Sequence, residues 1–249
     1  MEKFGIIVFF VIFSIANAQN QYCRFCNDHL ACVRRNGNCG IDSSSCGRNA
    51  RQIGLSNEDI RNILDQHNSL RNKVAFGRET SHRQPSASNM NALNYNKELA
   101  YIAQCLTNKC KFAHDKCRKT AKYSWVGQNL FIKWFQGTPG NKKDVIRSAI
   151  DSFYNEVKDF NPSWVNSYND HGKMVGHYSQ LVWANTKEVG CSLTYYIDKG
   201  KNTYLMACNY GPGGNFGGQS VYKSGRPASE CGRQGVNRRF TGLCGNDNS

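Results

Sequence analysis

Twelve cysteines are the feature that most constrains this chain of 249 residues. All of them follow an apolar N-terminal stretch, and an even number of cysteines in an exported chain indicates disulfides. A metal-binding set is disfavoured, because the spacing contains a single C-x-x-C pair, Cys23 and Cys26. The sequence therefore predicts a fold stapled by disulfides in an oxidising compartment.

The N-terminus has the pattern of a signal peptide. An apolar run from Phe4 to Ile15 ends in the small residues Ala16-Asn17-Ala18, so we expect cleavage after Ala18. The run is shorter than the roughly 20 apolar residues that a membrane-spanning helix needs. We therefore expect a secreted, extracellular protein without a transmembrane segment.

Composition divides the chain into four segments. Residues 1–18 form the signal peptide, residues 19–54 a cysteine-rich N-terminal extension, residues 55–222 the main domain and residues 223–249 a basic C-terminal tail. The extension holds five cysteines but few apolar residues. It cannot form a core of its own, so we expect it to lie on the main domain.

Hydrophobic periodicity predicts three helices and one strand in the main domain. Ser56 is expected to open the first helix, with Asp59 completing a weak variant of the capping box. A second helix starts near Asn96, and apolar residues at helical spacing over 146–157 predict the third. The alternation over 130–134 predicts a strand.

Residues 189–196 and 203–210 predict a β-hairpin, and its register can be worked out from the numbering. If residues 199–200 form a two-residue loop, residues whose numbers sum to 399 face each other, as Cys191 and Cys208 do. Facing Cα atoms in an antiparallel pair lie about 4.5–5.5 Å apart, which is within disulfide range. The hairpin therefore predicts a Cys191–Cys208 bridge.

The net charge of +14 favours acidic partners, although it is also consistent with solubility alone. Lysine and arginine are scattered, with short clusters over 109–122 and 226–239. Export disfavours nucleic acid as a partner. The expected partners of the basic surface are therefore an acidic glycan, a host cell-surface protein or an anionic membrane.

Four motifs resemble those of the CAP superfamily. Residues 176–183 (GHYSQLVW) are similar to its first signature and residues 205–216 (LMACNYGPGGNF) to its second. Residues 67–71 (HNSLR) and 127–130 (GQNL) match two shorter family motifs. The resemblance covers roughly residues 22–222. It implies an α+β fold, a three-layer α-β-α sandwich with a cysteine-rich N-terminal extension and a disulfide-closed tail.

Within the superfamily, the chain is most similar to the venom and salivary antigen 5 proteins of insects, through residues 98–101, 113–117 and 183–191. The tail over 225–244 resembles that of fly members, such as the horsefly tablysins and tabinhibitins. This resemblance implies a non-enzymatic salivary or venom effector that acts on haemostasis or inflammation. We also expect a monomer.

The resemblance also suggests how the cysteines pair. The implied disulfides are Cys23–Cys32, Cys26–Cys117, Cys46–Cys110 and Cys191–Cys208, with Cys231–Cys244 closing the tail and Cys39 and Cys105 left to pair with each other.

The resemblance places two histidines and two acidic residues in a central cleft, at positions His114, Gln128, Glu156 and His177 here. Gln128 stands where many members carry glutamate, and a glutamine is a poor zinc ligand and cannot act as a base. We therefore expect no catalytic residue and no required cofactor. Weak binding of zinc or another divalent metal by His114 and His177 is one hypothesis, and a hydrogen-bonded polar cluster is the other. A metal-dependent hydrolase using His114, His177 and Glu156 is the alternative from another class.

Two binding hypotheses follow from the resemblance. The first is capture of a small hydrophobic ligand, such as a fatty acid or eicosanoid, in a channel between two helices with a basic rim. The second is integrin or platelet antagonism through the N-terminal disulfide loop, at Arg34, Arg35, Asn36 and Gly37. Some fly relatives carry Arg-Gly-Asp there, but that tripeptide occurs nowhere in this chain, and an ordinary Asn-Gly turn is the alternative.

Overall fold

The computed structural model describes residues 21–33, 39–47 and 49–246. The signal peptide lies outside these ranges, as do the loop residues Arg34, Arg35, Asn36 and Gly37. The expectations for both segments therefore stay predictions.

The three helices, the strand and the hairpin that the hydrophobic pattern predicts are present, and further short helices and strands accompany them. The helices are α1 (Leu30–Val33), α2 (Ser43–Cys46), α3 (Asn57–Ala75), α4 (Lys97–Thr107), α5 (Lys142–Asn155) and α6 (Gly176–Leu181). The strands are β1 (Arg51–Ile53), β2 (Asn94–Tyr95), β3 (Gly127–Phe135), β4 (Glu188–Asp198) and β5 (Lys201–Gly211).

The sheet has the strand order β1-β4-β5-β3, and the short β2 pairs in parallel with β4. The other pairings are antiparallel. In the β4–β5 hairpin Cys191 faces Cys208, so the predicted register is confirmed.

Helices cover both faces of the sheet. Alternate residues of β5 point to opposite faces, because side chains on a strand have a period of two. Met206 and Tyr210 belong to the core shared with α3 and α5, whereas Ala207 packs with Ile102 and Leu106 of α4. The α-β-α sandwich is therefore confirmed.

The start of α3 shows how local sequence becomes tertiary structure. The Ser56 hydroxyl accepts a hydrogen bond from the Asp59 backbone N–H at 3.2 Å, and Asp59 Oδ2 accepts one from the Ser56 N–H at 2.8 Å. The capping box is thus formed. The same carboxylate contacts Lys142 Nζ at 2.6 Å, which ties the start of α3 to α5.

Six disulfides use all twelve cysteines, and each predicted pair is present. Cys26–Cys117, Cys39–Cys105 and Cys46–Cys110 join the extension to the main domain. Leu30 and Ala31 of the extension pack in the core under α4. The extension therefore lies on the α4 layer, as its composition predicts.

The C-terminal tail packs on the opposite layer. Phe240 and Leu243 belong to the core that contains α3, and Cys231–Cys244 closes the segment. The Cys244 N–H donates to the Met90 carbonyl oxygen at 2.8 Å. The tail and the main domain therefore share one core. None of the helices within the described ranges is both long and apolar enough to cross a membrane.

Candidate functional site

Gln128 on β3 holds the loop that follows α4. Its Oε1 accepts a hydrogen bond from His114 Nδ1 at 2.7 Å, and its Nε2 donates to Asp115 Oδ1 at 3.1 Å and to Asn209 Oδ1 at 2.9 Å. An amide oxygen cannot donate, so Nδ1 of His114 carries the hydrogen. In the neutral ring, Nε2 of this exposed histidine is then an acceptor.

The Asp115 side chain is buried in the loop and does not face solvent. Its side chain is 1% exposed, and Oδ1 accepts a hydrogen bond from Arg118 Nε at 2.6 Å. Arg118 Nη1 also donates to the Val126 carbonyl oxygen at 3.1 Å, just before β3. The aspartate that follows His114 therefore fixes the loop and offers no exposed carboxylate for catalysis.

Glu156 holds the second histidine at the start of α6. Its Oε1 accepts from His177 Nδ1 at 2.7 Å, and its Oε2 accepts the backbone N–H groups of His177 and Tyr178 at 2.8 and 3.1 Å. The His177 ring packs on Phe153, with ring centroids 5.0 Å apart. The carboxylate thus accepts three hydrogen bonds, one from the ring and two from the backbone at the start of α6.

The four cleft residues form two hydrogen-bonded pairs, His114 with Gln128 and His177 with Glu156, and consecutive residues of β3 contact one histidine each. Gln128 binds His114, and Asn129 Nδ2 donates to the His177 carbonyl oxygen at 3.0 Å. Asn209, the hydrogen-bond partner of Gln128, donates to the carbonyl oxygen of Leu99 in α4 at 3.1 Å. The side chains of Gln128 and Asn209 therefore lie on the face of the sheet that α4 covers. Consecutive strand residues point to opposite faces. The Asn129 side chain therefore points to the opposite face of the sheet from Gln128.

A tight zinc site needs three or four protein ligands. Among the described residues, the only set of three histidine, cysteine or acidic groups with clustered ligand atoms is Cys26, Asp28 and Cys117. Cys26 and Cys117 are bonded to each other, so neither offers a thiolate. His114 and His177 each donate through Nδ1, as metal-bound histidines often do, so Nε2 of each neutral ring is an acceptor.

The groove between α3 and α5 does not suit an acyl chain. It has a volume of about 430 Å³, and its lining includes Asp65, Asp151, Lys143 and Arg147. Ile146 is its one aliphatic residue. Charged groups lose hydration when an apolar ligand covers them, so this interhelical groove does not provide the expected lipid channel.

A second pocket, here called the extension pocket, lies where the extension, including β1, meets β2 and α4. Its volume is about 530 Å³. The lining includes Cys39, Ile53, Leu55, Ile60, Tyr95, Lys97, Ala100, Tyr101, Gln104 and Ser192. The sequence carries no local sign of this pocket, because residues as far apart as 39 and 192 build it.

The buried polar atoms of the extension pocket are satisfied within the protein. Gln104 Nε2 donates to Thr194 Oγ1 at 3.0 Å, and Ser192 Oγ lies 3.2 Å from Thr107 Oγ1. The Tyr95 hydroxyl donates to the Cys191 carbonyl oxygen at 3.2 Å, and burial raises the pKa of Tyr95 to about 12. The pocket therefore combines aliphatic and aromatic side chains with polar groups, several of which are already hydrogen-bonded within the protein.

Lys97 supplies the only charge in the lining of the extension pocket. This exposed side chain forms no ion pair with any residue in the described part of the chain. Its ammonium group can therefore pair with the carboxylate of a bound ligand.

Comparison with known proteins assigns the chain to one family. The family described as CAP, the cysteine-rich secretory protein family, matches residues 64–210. Venom allergen 5 of Dolichovespula arenaria is 42% identical over 212 residues, which cover 82% of this chain and 99% of that protein. Scoloptoxin SSD976 of Scolopendra dehaani is 41% identical over 206 residues, which cover 82% and 92%.

Solved structures show the same fold. NaASP2, crystallised with Zn²⁺, superposes with a TM-score of 0.65 at 27% identity over 80% of this chain and 99% of that one. Hookworm platelet inhibitor superposes with a TM-score of 0.57 at 21% identity over 84% and 100% of the two chains, a likeness of fold alone.

Proposed function

The chain belongs to the CAP family of cysteine-rich secretory proteins, and we propose that it is a secreted, non-enzymatic binding protein of the salivary or venom type. Its proposed ligand is a small hydrophobic carboxylate, such as a fatty acid or an eicosanoid. The observation that carries this proposal is the extension pocket, which brings aliphatic and aromatic side chains together with the cation of Lys97. Sequestration of such a mediator would act against haemostasis or inflammation in a host.

The chemistry of the pocket matches that ligand class. A volume of about 530 Å³ lies within the range of small-molecule sites. Each methylene group moved from water into an apolar pocket contributes about 0.8 kcal/mol. A charge-assisted hydrogen bond from Lys97 would then orient the carboxylate end.

Ala100→Trp and Lys97→Gln test this proposal in calorimetric titrations of delipidated, oxidised protein with fatty acids, leukotrienes and thromboxane analogues. Ala100→Trp should abolish binding, because the indole fills the pocket. Lys97→Gln should weaken binding of carboxylates at least fivefold and leave the matching fatty alcohols unaffected, since a charged hydrogen bond contributes about 1.5–3 kcal/mol.

Ser69→Trp in the α3–α5 groove is the matched control and should bind as the wild type does. No binding across the panel would overturn the proposal. Loss of binding in Ser69→Trp, with retention in Ala100→Trp, would move the site to the interhelical groove.

The cleft supports binding rather than hydrolysis. A hydrolase needs an activated nucleophile or metal-bound water together with a base. Gln128 cannot be that base, and Glu156 already accepts three hydrogen bonds. The metal-dependent hydrolase stays the alternative of another class. Zinc-stimulated turnover that disappears in a His114→Ala/His177→Ala variant would establish it.

Integrin or platelet antagonism through the N-terminal loop also stays a hypothesis. It depends on Arg34, Arg35, Asn36 and Gly37, which lie outside the described residues. A platelet aggregation assay with wild type and Arg35→Ala tests it directly. Equal inhibition by both proteins would show that any effect does not come from this loop.

A further inference from the structure

The loop after α4 forms a third pocket, whose charged side chains are mostly cations. Lys109, Lys111 and Lys116 line a concavity of about 320 Å³, together with Leu30 and Leu106. We call this the basic pocket. His114 and Ala113 also line it, so it opens beside the cleft.

Two disulfides hold the basic pocket in shape. Cys110 is bonded to Cys46 and Cys117 to Cys26, so both ends of the lysine-bearing segment are attached to the extension. Between them, Gln128 fixes His114 from β3 at 2.7 Å. A rigid site binds a ligand with less loss of conformational entropy than a mobile loop would.

The exposed charge of the basic pocket is positive. Lys109, Lys111 and Lys116 form no ion pair within the described ranges. Asp115 lines the pocket, but its buried carboxylate is paired with Arg118. Asp28 is the one exposed acid of the lining. Lys119, which is also exposed, follows Lys116 along the chain. Such a field attracts anions.

We propose that the basic pocket binds an acidic oligosaccharide bearing sulfate or carboxylate groups. The three ammonium groups donate to the anionic groups of the sugar. His114 Nε2 is an acceptor in the neutral ring, so it can receive a sugar hydroxyl. A simple anion would use the lysines but has no donor for this histidine.

A bilayer surface fits these features less well. Interfacial binding grows with the apolar area that enters the lipid. On the segment 109–119, Phe112 is the only large apolar side chain that is strongly exposed, at 53%. A single aromatic ring beside a concave pocket that carries three lysines is better suited to the face of a sugar ring than to insertion.

The test compares a heparin-derived hexasaccharide with its desulfated counterpart, using the oxidised, secreted protein. Lys109→Gln/Lys111→Gln/Lys116→Gln should weaken binding of the sulfated hexasaccharide at least about tenfold. Added salt should weaken wild-type binding, because Lys111 and Lys116 are exposed and Lys109 is partly exposed. Circular dichroism should be unchanged in the variant.

Lys158→Gln/Lys187→Gln/Lys199→Gln is the matched control, since it removes the same charge from exposed positions elsewhere. It should bind within about twofold of the wild type. Equal losses in both triple variants would overturn the proposal in favour of net charge alone. Equal binding of the desulfated sugar, or binding only to vesicles containing phosphatidylserine, would overturn it as well.

This inference is independent of the lipid proposal. The extension pocket and the basic pocket share no lining residue. Ala100→Trp should therefore bind the hexasaccharide normally, and the lysine variant should bind fatty acids normally.

Discussion

His114 donates the hydrogen on Nδ1 to Gln128 Oε1 across 2.7 Å. The amide orients the imidazole as a carboxylate would, but it adds no negative charge to the cleft. His177, by contrast, is held by the carboxylate of Glu156 at the same distance of 2.7 Å. The two histidines are thus similarly oriented but electrostatically different.

Gln128→Glu should raise the affinity for zinc about tenfold, because a carboxylate partner makes a ligating histidine more basic. The change also removes the donor to Asp115 Oδ1, so the melting temperature without zinc should fall by several degrees. Isothermal titration and calorimetric melting measure both effects. A gain in affinity that survives His114→Ala would show that the metal binds elsewhere.

Stability should fall as the pH falls from about 6.5 to about 4, because of His67. Burial lowers the pKa of this ring from 6.5 to about 4. The unfolded chain therefore takes up a proton in this window that the folded protein does not. The expected loss is about 3 kcal/mol between pH 7 and pH 4. Urea denaturation at both pH values measures it.

His67→Gln should remove that share of the pH dependence, and His171→Gln, at an exposed position, should not. Burial also lowers the pKa of His29, so a smaller dependence of the same sign should persist in the His67 variant. An unchanged pH profile in His67→Gln would contradict the assignment.

Glu79 should contribute stability at neutral pH that is lost in strong acid. Burial alone raises the pKa of this carboxyl, but hydrogen bonds from Lys73, Tyr154 and His82 outweigh burial and lower the pKa to about 2. The stabilisation is therefore present above pH 4.5 and lost as the pH falls through 2. Glu79→Gln should destabilise the protein by about 3 kcal/mol at pH 7 and far less at pH 2. A penalty that stays constant from pH 7 to pH 2 would refute this.

Arg71→Lys should destabilise the protein by at least about 3 kcal/mol at neutral pH. The fully buried guanidinium donates to the carbonyl oxygens of Asn91, Leu181 and Trp183 at 2.6–2.9 Å. A lysine cannot reproduce this planar fork, and each buried carbonyl left unpaired costs about 1–3 kcal/mol. Chemical denaturation should show the loss, and Arg61→Lys, exposed on the same helix, should be nearly neutral. A loss below about 1 kcal/mol would mean that the lysine reaches the same acceptors.

Local pattern was sufficient for much of the fold. The capping box at Ser56 and Asp59, and the disulfide between Cys191 and Cys208, both follow from neighbouring residues and regular geometry. These features depend on helix and strand periods, which are properties of short segments. The resemblance supplied the remaining cysteine pairs and the four cleft positions.

The sequence by itself determined that this protein is a disulfide-stapled sandwich of the CAP family. Only the tertiary structure decided which nitrogen of His114 carries the hydrogen and that Asp115 forms an ion pair with Arg118. It alone also showed that charged residues line the groove between α3 and α5. It also decided that the extension forms a pocket beside Lys97 with aliphatic and aromatic side chains in its lining. Hydrogen bonds and cavities join residues distant in sequence, and their chemistry follows from chain packing that no local period records.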